Sequence, residues 1–466
     1  MSSYSLDTHT VTKLLKKHPG NQRVVAPLLS WGLEIALLAP FVSLIAAPLS
    51  AQTKARTGPR PADDVSTLLQ AAEQALDRKD YAAAIAPLKK AAQVEPANAA
   101  VWFNLGFAFS ELAAYPDAVA AYQKALEIQP DLFEAHLNLS AAYLKLGRYP
   151  EAQGELEKAI KLKPDHARAH LELGRALALE KNFEGAEKEF GEASRLDPKL
   201  AAAHLELAEV LLDEKKFGGA KSAFEAALEL DPKSSQSQLG LALALEGAGK
   251  YEEAIPHYAA YLAANSGDLG RRVHLAVIEM NLGKNQEARD ELQFVYEKDP
   301  KMPGVAAMLG DVNAWLKRLP EAERFYREAL AATPDASDAT PRRAGLHRAL
   351  AQTLLDEEKF SDAETEFRAA LKLDPENLEA FKGLASALYL EKRYADAVSM
   401  FEAESRDPSA PPLTFFVLAS CYDHLHVIPK ALAAYEKFLA LSNGQNPDHE
   451  WQAQQRAKLL KRELRK

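Results

Sequence analysis

Apolar residues in this chain recur every three or four places within short blocks, the period of a helix that buries one face. The blocks themselves repeat. Alanine stands at 84, 118, 152, 186, 220, 254, 288 and 322, always 34 residues on. The next step, to Ala363, is 41, and the spacing of 34 then resumes at Ala397 and Ala431. With the first block opened at Val65, the pattern predicts eleven units over 65–445 and a seven-residue insertion at 337–343. A period of about 20–50 residues marks a solenoid, in which each unit buries its apolar face only against its neighbours.

The other recurring positions predict what each unit contains. Position 8 is small in every unit, as in Gly106, Ser140, Gly174, Ala208, Gly310 and Ala419. Position 17 is aromatic in eight units, from Tyr81 to Tyr394, and position 24 is Leu, Phe or Tyr in all eleven. Positions 20, 24 and 27 lie on one helical face, so small residues at 8 and 20 bring two helices close and the rings fill the space beside them. Pro at position 32 in eight units stops the second helix. Pro116, Pro150, Pro320 and Pro429 at position 18 sit in the first turn of that helix, where a missing N–H is not needed. Each unit therefore reads as helix, tight turn, helix, short loop.

This pattern resembles the tetratricopeptide repeat family. The second unit carries it most fully, with Trp102, Leu105-Gly106, Phe109, Ala118, Tyr122, Ala125 and Pro130. The resemblance implies an all-α fold, a right-handed superhelical solenoid of antiparallel helix pairs. It also implies a concave groove, lined by the first helices, that takes up peptides or partner proteins. It names no partner.

Some units depart from the pattern. The sixth has Ser266-Gly267 where Pro is expected, which makes Asn265 to Asp268 the most polar joint in the array. The seventh carries Glu279, Asn285 and Val295 at positions 11, 17 and 27. Pro87 and Pro256 fall inside second helices, where each is expected to cost a hydrogen bond and bend the helix.

The ends differ from the units. Residues 24–51 are nearly all apolar and follow Lys13, Lys16, Lys17 and Arg23. That order reads as an export signal cleaved after Ala51, with an uncleaved membrane anchor as the alternative. Either would take the units out of the cytoplasm. Residues 52–64 form a polar, Pro-containing linker. At the other end, 446–466 reads as a capping helix with Ala453, Ala457, Leu460 and Leu464 on its apolar face. Its tail from Arg456 to Lys466 has six basic residues and one acid, read here as charge that suits a helix C-terminus rather than as contact with an anionic surface.

Charge and composition narrow the function. The net charge is −10, and because segment 1–51 holds four basic and two acidic side chains, the remainder is −12. So acidic a body argues against nucleic acid as a partner. A single cysteine, Cys421, rules out an internal disulfide, and because secreted eukaryotic chains of this length usually carry several, it favours a bacterial cell envelope. Gly247-Ala248-Gly249-Lys250 resembles the end of a phosphate loop but lacks its first Gly and its Ser or Thr. His136, His170, His204 and His347 share position 4, where bulky rings pack. His166 and His170 have the spacing of a metal pair but no third ligand, so packing is the reading preferred. No catalytic motif, metal site or cofactor is expected.

The groove remains as the candidate site. In the family, positions 2, 5, 9, 12 and 13 of the first helices face the concave side. Position 5 reads Leu69, Phe103, Leu137, Leu171, Leu205, Leu239 and Val273 before turning polar at Arg348 and Lys382. Position 9 runs from Glu73 and Phe107 through Arg175 and Glu209 to Asp311, Gln352, Ser386 and Ser420. The contact residues expected are Phe103, Phe107, Leu137, Leu171, Arg175 and Leu205, with Phe103 and Phe107 as an aromatic anchor. Packing of the position-5 residues between first helices is the competing expectation. Members that hold a terminal carboxylate use Lys and Asn at positions 5, 6 and 9, and only Asn104 and Asn138 are present here. The reading is an exported, non-enzymatic interaction scaffold for a protein or peptide partner. A membrane-anchored assembly factor, or an accessory subunit of a separate enzyme, is the alternative.

Overall fold

The computed structural model describes residues 65–334 and 339–465. The export segment and the linker, 1–64, lie outside the described residues. Among the described residues there are 23 helices and no strand. They form eleven consecutive helix pairs, from Val65–Asp77 with Tyr81–Val94 to Pro412–His424 with Ile428–Ser442, followed by a last helix, Pro447–Glu463. None of these helices is long and apolar enough to cross a membrane. The chain divides into two compact units, one ending at Asn265 and the other starting at Ser266. The division falls at the polar joint and not at the insertion.

The seam inside each pair is built as the periodic positions predict. Ala84, Ala118, Ala152, Ala186, Ala220 and their counterparts through Ala431 are completely buried. The small residue at position 8 lies under the ring at position 24. A Cβ on Gly106 would come within 2.7 Å of Tyr122, and one on Gly174 or Gly310 within 2.6 Å of Phe190 or Tyr326. Successive units use the same device. A Cβ on Gly240 would collide with the ring of Phe224 in the preceding unit, and one on Gly383 with Phe367. Position 7 completes this packing. It is Leu in every unit from the second to the eleventh, and in the first it is Ala71. Leu68, Ala71, Ala75 and Pro87, among others, line a cleft of about 470 Å³ on the first pair.

The turns between paired helices share one conformation. Position 15 has positive φ in all eleven units, yet only Gly147, Gly249 and Gly283 are glycines. The others, including Lys79, Ala113, Lys215 and His426, adopt φ near 60°. The turn is closed by backbone bonds such as Lys216 N–H to Leu211 O, 2.8 Å, which satisfy carbonyls at the helix end. Gly247 to Lys250 belongs to this turn in the sixth unit, with φ of 76° at Gly249. Caps help start several helices. Asp80, Asn98, Asn182 and Asn377 each accept a bond from the N–H three residues on.

Two expectations change. The insertion is not a loop throughout, because the first helix of the ninth unit begins at Thr340 and takes in Pro341 to Arg343. Arg343 reaches back to the Thr333 carbonyl at 2.9 Å, so the added turn is tied to the preceding helix pair. Pro87 and Pro256 lie inside helices that run on to Val94 and Ala264. In the last helix Ala453, Ala457 and Leu460 are buried, but Leu464 stands past its end and is exposed.

Candidate partner-binding face

The first helices of units two to six belong to one compact unit, and their side chains meet across unit boundaries. This face is where the expected contact residues lie, and it treats them differently. Phe103, Leu137 and Leu171 are only 5%, 5% and 3% exposed, so they pack between helices and present no contact surface. Phe103 lies against Tyr122 with ring centroids 5.7 Å apart. Leu205, one unit further on, is half-buried. Phe107 is also half-buried, edge-on to Tyr81 of the first unit at 5.8 Å. The aromatic anchor therefore reduces to Phe107. Asn104 is buried and Asn138 half-buried.

Arg175 is not a free margin charge. Its Nη1 donates to Glu172 at 3.0 Å, one helical turn back, and its Nε donates to Glu206 of the next unit at 2.9 Å. Burial weakens the Arg175 charge, but Glu172 and Glu206 hold its pKa above the ordinary value. Burial raises the Glu172 carboxyl, and Arg175 and Arg168 oppose that rise. Glu209 sits on the same face, buried, and accepts a bond from Gln236 of the sixth unit. Burial, reinforced by the charge of Glu206, pushes Glu209 up to about 8. Asp213, one turn further along that helix, is also raised by burial. The middle of the face is thus a polar band of linked side chains spanning units four to six.

Glu172 and Glu206 were missing from the expected set. Both occupy position 6, which the family's groove positions leave out. The signal available was local: Glu172 precedes Arg175 by three on one helix, a spacing that brings the side chains together. In the second compact unit, Asp311 at position 9 accepts a 2.7 Å bond from Tyr326, and burial raises its carboxyl to about 6.

The histidines at position 4 bond to groups of the protein itself. The Nδ1 atoms of His136, His170 and His347 lie 2.6, 2.7 and 2.6 Å from Glu155, Glu189 and Glu366 on the second helices of their own units. Nε2 of His136, His170 and His204 donates to the carbonyls of Pro130, Pro164 and Pro198 in the loop before each unit, at 2.9 to 3.1 Å. His166 caps its helix by accepting from the Ala169 N–H at 3.2 Å. Cys421 is buried, and burial pushes its thiol up to about 12. Among the described residues no group of three or more His, Cys, Asp and Glu side chains is placed to hold a metal ion.

A family model described as tetratricopeptide repeat matches residues 137–201, 205–268, 275–337 and 348–411. A second, described as TPR repeat, matches 114–147. Among solved structures the chain is similar to MamA from Desulfovibrio magneticus RS-1, at 24% identity over 38% of this chain and 99% of that one, with a TM-score of 0.36. It is similar to YrrB, a TPR protein with an unusual peptide-binding site, at 22% identity over 38% and 91%, with a TM-score of 0.35. It is also similar to pilF of Pseudomonas aeruginosa, at 22% identity over 44% and 93%, with a TM-score of 0.39. No curated protein sequence matches the chain.

Proposed function

Because the chain belongs to the tetratricopeptide repeat family, whose members are in general protein–protein interaction scaffolds, we propose that it is an exported, non-enzymatic scaffold holding a partner peptide or helix. The occupied face is the one formed by the first helices of units two to six. Phe107 and Leu205 supply its apolar contacts, and the band of Glu172, Arg175, Glu206 and Glu209 lies between and beyond them. The observation that carries this reading is the contrast between buried seam and open face. Phe107 keeps part of its ring in solvent and meets Tyr81 of the first unit edge-on. A partly exposed aromatic on a face that turns polar two units further on is an arrangement in which a partner gains from burying the ring.

Phe107→Ala separates contact from support. Partner capture, measured by pull-down, is expected to fall by more than about tenfold, while the thermal midpoint moves little. A large drop in the midpoint with unchanged capture per folded molecule would return Phe107 to the core. For export, we propose that mature protein begins near Gln52 in the bacterial cell envelope, on the strength of the basic and apolar order in 1–51. N-terminal sequencing of native protein is expected to read from Gln52. Finding Met1 or Ser2 would favour the anchored form.

A further inference from the structure

We propose that the outer face of the last helix, Pro447–Glu463, is a docking surface for an anionic lipid bilayer. The inner face of this helix is accounted for: Ala453, Ala457 and Leu460 are buried. At about 100° per residue, the opposite side collects Trp451, Gln455, Lys458, Leu459, Arg462 and, just past the helix, Arg465. All six are exposed. Trp451 is 63% exposed and Leu459 45%, a large apolar area to leave on a helix whose task is to cover the array.

The basic residues divide by direction. Arg456 turns inward and pairs with Asp423, and Lys461 pairs with Glu436 at 2.7 Å. Lys458, Arg462 and Arg465 remain on the outward stripe, whose acidic neighbour, Asp448, lies in the first turn. Interaction with the helix dipole accounts for cations in the last turn only, and Lys458 lies before it. It accounts for nothing at Trp451, near the other end. The stripe combines an indole, a leucine and three long-stemmed cations on the exposed side of one helix. Indoles settle at the level of lipid headgroups, and clustered Lys and Arg are drawn to anionic headgroups. The repeats before this helix are acidic, so among the described residues attraction to such a surface is confined to this end. The helix would lie on the surface, since none of the described helices can cross a membrane.

The test uses the full chain and vesicles of phosphatidylcholine with or without phosphatidylglycerol. Brominated acyl chains quench a nearby indole, and the Trp451 signal is taken as the difference between the parent protein and Trp451→Phe. The N-terminal segment is common to both proteins and drops out of that difference. Quenching of Trp451 is expected with phosphatidylglycerol, and its affinity should fall more than about tenfold in Lys458→Glu/Arg462→Glu/Arg465→Glu. Added salt should have the same effect. Three results would overturn the proposal. One is an unquenched Trp451 with anionic vesicles. Another is equal quenching by pure phosphatidylcholine. The third is self-association that Trp451→Phe abolishes without any quenching, which would assign the face to a second copy of the chain.

Discussion

The seam between paired helices and the face of the first helices obey opposite rules. At the seam, every unit repeats the same solution: buried Ala at position 20, a small residue at 8, a ring or leucine at 24. On the face, position 9 changes from Phe107 to Ala141, Arg175, Glu209 and Leu243 in five successive units. A solenoid can hold its architecture constant and vary its face because each contact at the seam is local. The face then differs from unit to unit in polarity, and that difference is available for recognition.

The comparison is tested hardest at the seam. Phe224 is fully buried and covers Gly240 of the next unit. Phe224→Ala is expected to lower the free energy of unfolding by about 3–5 kcal/mol in a denaturant titration. A loss below 1 kcal/mol would mean that the units do not depend on this seam. Ala220→Leu should cost about 1–3 kcal/mol, because the closest approach of two helices has no room for three added carbons. An unchanged melt would misplace the repeat frame.

The next effect belongs to the face and depends on pH. Glu209 has its carboxyl raised to about 8 in the folded protein by burial and by Glu206, above its ordinary value. Its stabilising contribution is therefore complete at low pH, where the carboxyl is neutral in folded and unfolded chains. It is lost as pH rises toward and through 8, because folding then buries a charge. Glu209→Gln should match the parent at pH 4 and be more stable by roughly 1–2 kcal/mol at pH 9. Melts at the two pH values check the sign, and a variant less stable at pH 9 would make Glu209 a supporting charge instead.

The smallest effect returns to the shared turn. Lys215 holds φ at 59°, which a side chain disfavours. Lys215→Gly should gain about 0.5 kcal/mol, the relief of strain being partly offset by the greater freedom of glycine in the unfolded chain. The reverse change, Gly249→Ala, should lose a similar amount. Equal and opposite shifts in the denaturant midpoint would show that the turn is set by the seam and not by its own residue.

Much of the fold could be read from residue order alone. The period from Ala84 to Ala431 located all eleven helix pairs, and Ala453, Ala457 and Leu460 located the buried side of the last helix. The turn was harder to read, since eight of its eleven left-handed residues are not glycine and their conformation is imposed by the helices they join. Thr340 to Arg343 were also ambiguous, because they can be an insertion in the repeat count and a helical turn in space.

The face was legible as a set of positions and not as a set of exposures. The repeat frame together with the groove positions that the family resemblance implies named Phe103, Phe107, Leu137, Leu171, Arg175 and Leu205 as one set. It does not say how much of each side chain the neighbouring helices cover. In the folded array Phe103, Leu137 and Leu171 are buried, Phe107 and Leu205 stay partly open, and Arg175 bonds to both Glu172 and Glu206. The sequence by itself determined the repeating seam, because its contacts lie within a unit or one unit away and recur at fixed spacing. Only the tertiary structure decided which side chains of the face remain in solvent, because that depends on how helices of successive units pack over one another, which no single unit encodes.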